Sequence, residues 1–438
     1  MRVHYHTFGC KANQYDTERM RQELEARGAA TLSRQDGADI CVVNTCTVTN
    51  QADASARKLI RKLHRENPEA RIVVAGCSAA LKAGDYREME GVIGVVEGHD
   101  PMEVAQAAQA EPSPLVQLGV ERSLDRIDVE PVGGRILTGR TGATRGWLKI
   151  QDGCDRKCAF CATRLARGPS RSREPGEVVE EARVLARQHP ELVVTGIHIG
   201  HYGRDLEEPT SLGRLLDSLL EKVPGVRFRL GSVEATEVDE LLLEVVVGSG
   251  GWVAPHLHMP LQSGADPVLR RMRRWHTREM YRVRALQIAE RLDAGGPGSL
   301  GLGADIITGF PGETVEDHRA TLELVEELPY TYAHVFPFSP REGTVAAELQ
   351  EEMPVPQRVA GERSRELREL VQRKGEEYRL RRAGTRARVV LEGEGRYVLT
   401  EDYLRVPVVG SHSLDPRQLH DVELAVEGEE LSAVPTHP

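Results

Sequence analysis

Apolar and polar positions follow two rhythms along this chain, and the changes of rhythm divide it. From Arg2 to about Pro101, short apolar runs (VHYHTF, DICVVN, RIVVAG and VIGVVEG) alternate with stretches of helical period. In one of these, from Asp53 to Glu66, Ala56, Leu59, Ile60 and Leu63 recur on one helix face. Such alternation predicts a small parallel α/β sheet. Residues 110–145, with Pro112, Pro114, Pro131 and several glycines, read as a linker. From Trp147 six further runs follow: WLKIQ, LVVTGI, VRFRLG, HLHMPL, LGADIIT and YAHVFPF. Helical patterns near 177–188, 211–222, 238–247, 278–292 and 316–328 separate most of them. Repeated βα units predict an open, partial (β/α)6 barrel with its chemistry at the C-terminal strand ends. A long charged helix near 356–382 comes next. RARVVLEG, RYVLTEDYLRVPVVG and VELAVEG then predict a small antiparallel β-barrel. The fold class is α/β, with expected divisions at 1–110, 111–139 (linker), 140–372 and 373–438.

Bulk properties narrow this picture. At 438 residues the chain is too long for one ordinary core. No apolar stretch approaches the roughly 18 residues of a membrane span, and MRVHYHTFGC reads as a strand, so a cytoplasmic monomer is expected. Seven unevenly spaced cysteines argue against a disulfide framework and for metal or redox chemistry. The net charge of -10 disfavours a nucleic-acid partner, yet basic residues are clustered. Arg156, Lys157, Arg164, Arg167, Arg171 and Arg173 form one group, Arg270, Arg271, Arg273, Arg274 and Arg278 another, and Arg363 to Arg388 a third. Each reads as a solvated helix face when taken alone. Three beside chemical motifs lead us to expect a polyanion.

The motif GCDRKCAFC places Cys154, Cys158 and Cys161 at C-x3-C-x2-C, just after the first barrel strand. Three thiolates on one tight loop can hold three irons of a cubane and leave the fourth iron for S-adenosylmethionine (SAM). A zinc knuckle would want a fourth ligand, usually from a second paired motif. Cys10, Cys46 and Cys77, in FGCKAN, NTCTVT and AGCSAA, each closely follow a predicted strand of the N-terminal sheet. The C-terminal ends of parallel strands share one edge, so a second three-thiolate site is expected there. Three unrelated buried thiols are the alternative. Cys41, inside DICVVN, reads as core.

These motifs give the chain an end-to-end resemblance to the radical SAM methylthiotransferases. The matching segments are GCKANQYD, NTCTVTNQAD and GCS, then IQDGCDRKCAFC with RGPSRSR, then HLHMPLQSGAD, GADIITGFPGET and HVFPFSPREGT. The β-rich tail resembles a TRAM domain, an RNA-binding module. The resemblance implies two 4Fe-4S clusters, two uses of SAM and transfer of a CH3-S group to an unactivated C–H position. GCKANQYDTE and NTCTVTNQAD look most like the branch acting on N6-threonylcarbamoyladenosine at C2, beside the tRNA anticodon. Isopentenyladenosine tRNA and a ribosomal protein are the alternative substrates. A flavodoxin-type or reductase electron donor is implied, and no sulfur donor is named. A non-catalytic iron-sulfur RNA-binding protein is the rival from another class.

Further site residues follow from the resemblance alone. Thr195 and Gly196 would meet the SAM methionine, or form a glycine-mediated strand end. Ser232 and Glu234 would touch the ribose or the carboxylate, or close a loop. Arg171 and Arg173 would pair with the SAM carboxylate or with tRNA phosphate, or form surface salt bridges. His256 and His258, with no metal-spaced partner in sequence, read as barrel lining, and Asp305 as part of a barrel strand. GFPGE is expected to let backbone approach the adenosyl group.

Overall fold

The computed structural model describes residues 1–110, 136–139, 142–295, 299–392, 395–409, 414–427 and 430–436. Most of the expected linker, residues 111–135, lies outside them.

The N-terminal strands are β1 (Arg2–Thr7), β2 (Ala30–Leu32), β3 (Ile40–Thr45), β4 (Arg71–Gly76) and β5 (Val92–Val95). All pair in parallel, in the order β2-β1-β3-β4-β5. Every residue of β3 is buried, as a strand covered on both faces requires. On one face, α1 (Lys11–Ala26) and α5 (Pro101–Gln109) pack Met20, Leu24, Val104 and Ala108 against Val42 and Val73. On the other lie α2 (Asn50–Glu66), α3 (Cys77–Leu81) and α4 (Ala83–Arg87), covering Val43, Ile72 and Val74. The short edge strand β2 has no counterpart in the sequence reading.

The second body begins with β6 (Arg145–Lys149), the short antiparallel pair β7 (Gln151–Asp152) and β8 (Arg171–Ser172), and α6 (Thr163–Arg167) between them. Strands β9 (Glu191–Thr195), β10 (Arg227–Leu230), β11 (His256–His258), β12 (Gly301–Thr308) and β13 (Tyr332–Pro337) continue the curve. The order is β6-β9-β10, then parallel bridges Phe228–Val253 and Ser232–His258, then β11-β12-β13. This is the expected six-stranded open barrel. Its outer layer is α7 (Pro175–Ala186), α8 (Leu212–Lys222), α9 (Glu240–Gly248), α10 (Asp266–Arg271), α11 (Arg278–Gly295) and α12 (Val315–Glu327). Thr314 starts α12 with a reciprocal capping box to Asp317.

After α13 (Val345–Glu352), α14 (Gln357–Arg382) packs along β13. The boundary expected at 372/373 falls inside this continuous helix. Strands β14 (Arg386–Glu392), β15 (Tyr397–Leu399), β16 (Arg405–Pro407), β17 (His420–Glu427) and β18 (Glu430–Pro435) form an antiparallel sheet. Its order is β16-β15-β14-β17-β18, and its edges meet where Val409 N–H donates to Ala433 O at 3.0 Å. Arg229, fully buried, ties the sheet to the barrel by donating to Thr400 O at 2.8 Å and Glu401 O at 2.9 Å.

Burial also sets a pH response. Burial, then Arg274, lowers His276 to about 4, and burial with Arg229 pushes His256 well below its usual range. Below about pH 6.5 the unfolded chain therefore binds protons that the fold refuses, so stability falls as pH falls toward 4. Each such histidine contributes a slope of up to about 1.4 kcal/mol per pH unit. Urea midpoints measured from pH 7.5 to 5 should decline, and His276→Phe should flatten that decline. An unchanged slope in the variant would exclude His276 as a source.

Candidate active site

Three loops at the C-terminal edge of the N-terminal sheet carry the first cysteine trio. Cys10 stands at the N-cap of α1 behind Gly9, whose φ is +96°. A Cβ on Gly9 would lie 2.8 Å from Cys46 Sγ, so glycine lets the Cys10 and Cys46 loops touch. Cys46 directly follows β3, and its Sγ lies 3.5 Å from Val48 N. Cys77 opens α3, with Sγ 3.6 Å from Asn13 Oδ1 and 3.5 Å from His99 Nε2. Asn13 is fixed by donating its amide to Phe8 O at 2.9 Å and Thr45 O at 2.8 Å. Burial pushes the Cys77 thiol up to about 12, with Arg167 opposing and Cys10 and Cys46 adding to the rise. Three thiols thus converge, and burial of Cys46 and Cys77 resists negative charge on those two until a cation is present.

The second trio sits on the loop after β7. Gly153, at φ +68°, is forced: a Cβ would stand 1.7 Å from Pro169 O. Cys154 N–H donates to Gly168 O at 3.0 Å, and Ala159 N–H to Met272 O at 2.9 Å, closing the loop on the barrel. Cys154 Sγ lies 3.5 Å from His198 Nδ1, and Arg274 donates to Cys158 Sγ at 3.6 Å. Burial pushes Cys154 up to about 12, and Cys161 and Cys158 add to it. Phe160 meets Phe310 edge-on at 6.5 Å, giving one side of the loop an apolar wall.

Each trio offers three thiolates and no fourth, since the seventh cysteine, Cys41, is buried within β3. That is the ligand set of a 4Fe-4S cluster with one open iron. Two buried guanidinium N–H groups beside the trios, Arg167 Nε and Arg274 Nε, lack an acceptor among the described residues. Cluster sulfides are acceptors of the kind they lack, so the residues present fit the group.

A buried network joins the two sites. Arg167, at the end of α6, donates to Asn13 Oδ1 at 2.6 Å, Asp16 at 2.7 Å and Asp152 at 2.9 Å. Lys149 reaches Asp16 and Asp152, each at 2.7 Å. Elsewhere on the same interface, Arg341 donates to Asp53 and Thr47, each at 2.6 Å. Of the linker, Leu137 N–H donates to Glu181 at 3.1 Å, which also accepts from Tyr15 at 3.2 Å.

The structure places the other expected site residues as follows. Arg173 is buried, 3.2 Å from Glu181, and donates to Lys149 O at 2.9 Å, so its ion pair is internal and not a surface one. Arg171 lies in the two-residue strand paired with β7. Glu234 is buried and ion-paired with Arg274. Ser232 is exposed and bridges to His258. Thr195 is buried at the end of β9, and Gly196 presses on Gln151, whose Oε1 accepts from Ile197 and His198 N–H. A Cβ on Gly309 of GFPGE would meet Ala360 at 2.4 Å, so this glycine admits α14 to close packing. The expected basic surfaces are also thinner than the sequence suggests. The side chains of Arg167, Arg173, Arg274, Arg363 and Arg382 are buried in internal ion pairs, the last two with Glu313 at 2.7 Å and Glu401 at 2.8 Å. His258 does have partners: its Nε2 is 3.2 Å from Asp305, and His334 stands beside both.

An open six-stranded parallel barrel whose first strand leads into a C-x3-C-x2-C loop defines a radical SAM enzyme. Residues 148–325 match the Radical SAM superfamily, and residues 2–98 match Uncharacterized protein family UPF0004. The threonylcarbamoyladenosine tRNA methylthiotransferase MtaB of Bacillus subtilis is 36% identical over 86% of this chain and 81% of its own. The Aquifex aeolicus protein of the same name is 34% identical over 93% and 96%. The tRNA-2-methylthio-N(6)-dimethylallyladenosine synthase of Bacillus velezensis is 32% identical over 89% and 76%. The chain belongs to the radical SAM tRNA methylthiotransferase family. A likeness in fold extends to the radical SAM methyltransferase TsrM from Kitasatospora setae (TM-score 0.58, 16% identity, 80% of this chain and 78% of that one).

Proposed function

We propose that this protein methylthiolates C2 of N6-threonylcarbamoyladenosine beside the tRNA anticodon. Cys154, Cys158 and Cys161 hold the cluster that binds SAM, and Cys10, Cys46 and Cys77 hold a second one. The observation that carries the reading is the pair of three-thiol sites in one chain, docked through the Arg167 and Lys149 network. When bound, the two clusters and SAM supply the radical chemistry and the sulfur that C–H methylthiolation needs.

The chain's own residues position and shield. Arg167 and Arg274 offset the negative charge of the thiolates. Asn13 and His99 fix the surroundings of Cys77, and His198 those of Cys154. The wall of Phe160, Phe310 and Phe338 keeps water from one side of the second site. A base from a single-stranded anticodon loop can enter without duplex opening. Exposed Arg381, Arg386 and Arg417, on or near the C-terminal sheet, are available to tRNA phosphates. Among the described residues no helix is long and apolar enough to cross a membrane.

Substrate choice is supported by the relatives named for threonylcarbamoyladenosine and by the barrel lining. His258, Asp305 and His334 form a polar wall that suits a polar N6 arm better than an isopentenyl one. Mass analysis of tRNA nucleosides from a deletion strain should show loss of the 2-methylthio form of threonylcarbamoyladenosine. Loss of the isopentenyl derivative instead, or of a ribosomal-protein modification, would overturn the reading.

A further inference from the structure

Lys11 is the residue next to Cys10 and the first of α1, yet its side chain reaches away from its own domain. Its Nζ lies 5.9 Å from the ring centre of Tyr403, in the C-terminal segment. Tyr403 in turn stacks on His256 at 4.3 Å and leans on Tyr332 at 5.3 Å. Lys11 thus stands where all three bodies of the protein meet, close to the first residues of β11 and β13.

It is half-buried there, and among the described residues no carboxylate pairs with it and no acceptor receives its protons. Glu191, whose charge reaches it, is already held by Arg227 at 2.6 Å and Arg229 at 2.8 Å. The Lys11 charge also reaches His256 and His334 across the lumen. A cation kept out of water without a counter-ion is costly unless an anion arrives to meet it.

The rest of the lining is made of hydrogen-bonding groups. His258 Nε2 sits 3.2 Å from Asp305, His258 and His334 rings are 5.5 Å apart, and Tyr332 OH is 2.7 Å from His256 and 3.0 Å from His258. The buried Nδ1 of His256 has no partner among the described residues. Three of these side chains lie close enough to hold an ion, but the His258–Asp305 contact already pairs a donor with a carboxylate. The threonylcarbamoyl arm offers one carboxylate together with a hydroxyl and ureido N–H groups. It leaves adenine from N6, on the same edge that carries N1 and C2. Turning C2 toward the Cys10, Cys46 and Cys77 site therefore brings the arm beside the residue that follows Cys10.

We infer that Lys11 recognises the carboxylate of the threonylcarbamoyl arm, while His258, Asp305 and His334 read its uncharged polar groups. The assignment rests on the substrate reading above. It makes Lys11 a specificity-determining residue: a neutral arm leaves the half-buried ammonium unmatched.

The test uses reconstituted full-length enzyme and three anticodon stem-loop RNAs, bearing threonylcarbamoyladenosine, its carboxyl methyl ester, or plain adenosine. Wild type should prefer the acid to the ester by about tenfold or more in kcat/KM, the value of one charge-assisted contact. Lys11→Met should lose that preference, and Lys11→Arg should keep it. Fluorescence anisotropy with the same RNAs carries the comparison should the Met variant turn over neither. A Lys11→Met protein that still separates acid from ester as well as wild type overturns the assignment while leaving the substrate reading intact. Wild type that ignores the threonylcarbamoyl RNA overturns the substrate reading and the assignment with it.

Discussion

Replacing Cys46 by alanine is expected to abolish methylthiolation of tRNA while formation of 5'-deoxyadenosine from SAM continues; replacing Cys154 is expected to abolish both. The asymmetry follows from how each site is built. The second trio is held by barrel groups: Gly153 against Pro169, Ala159 N–H on Met272 O, and Arg274 on Cys158. No atom of the N-terminal sheet takes part in those contacts. Cys46, by contrast, lies against Gly9 and the Val48 turn, wholly within the N-terminal body. Loss of its thiol removes one of three ligands from the first site and should lower bound iron to about half, one four-iron cluster of two. Iron analysis, nucleoside mass spectrometry and chromatography of SAM products check the three limbs. A Cys46→Ala protein that keeps the iron of its second site but no longer cleaves SAM would show that the labour is not divided this way.

What sequence could reveal here depended on whether the relevant partners are near one another along the chain. The cysteine positions were legible because a parallel sheet brings successive strand ends to one edge, and Cys46 and Cys77 follow β3 and β4 directly. The six barrel strands were legible for the same reason, each being a short apolar run between helical patterns. Strand β2 was not: Ala30–Leu32 is three residues long, and two of them are exposed at a sheet edge. The arginines were misjudged because charge says nothing of its partner. Arg167 finds Asp16, 151 residues earlier, and Arg274 finds Glu234, 40 residues earlier. No local pattern distinguishes such an arginine from one that waits for phosphate. His258, Asp305 and His334 escaped for a related reason, since only the register of β11, β12 and β13 puts them on one wall.

Arg167→Met should cost about 3–5 kcal/mol of stability, the range for removing one partner from a buried ion-pair network. Arg167 is 3% exposed, and its guanidinium touches both domains, through Asp16 and Asn13 on one side and Asp152 on the other. Without it, two buried carboxylates keep Lys149 as their shared ammonium, with Gly153 N–H on Asp152 and His99 near Asp16. Burial works to raise Asp16 and Asp152, yet Lys149 and Arg167 hold both below the usual carboxylate range. Because those folded values are depressed, the network contributes fully above about pH 4 and fades only in stronger acid. Losses of stability between pH 6.5 and 4 therefore belong to the buried histidines; burial and then Arg167 hold one of them, His99, at about 3, so the Arg167→Met deficit should narrow as pH falls through that interval. Urea unfolding at pH 7.5 and 5, with hydrogen exchange on α1 and β6 as a local readout, separates the two effects. Adding Asp152→Asn should recover part of the loss, since it removes a charge that Arg167 no longer balances. A wild-type midpoint for Arg167→Met would mean that the domains are held by Arg341 and the Leu137 segment instead. Arg167 also stands beside Cys77, so weakened docking should appear together with lower iron occupancy at the first site and unchanged occupancy at the second. The same residue that joins the two bodies thereby makes the first site depend on their docking.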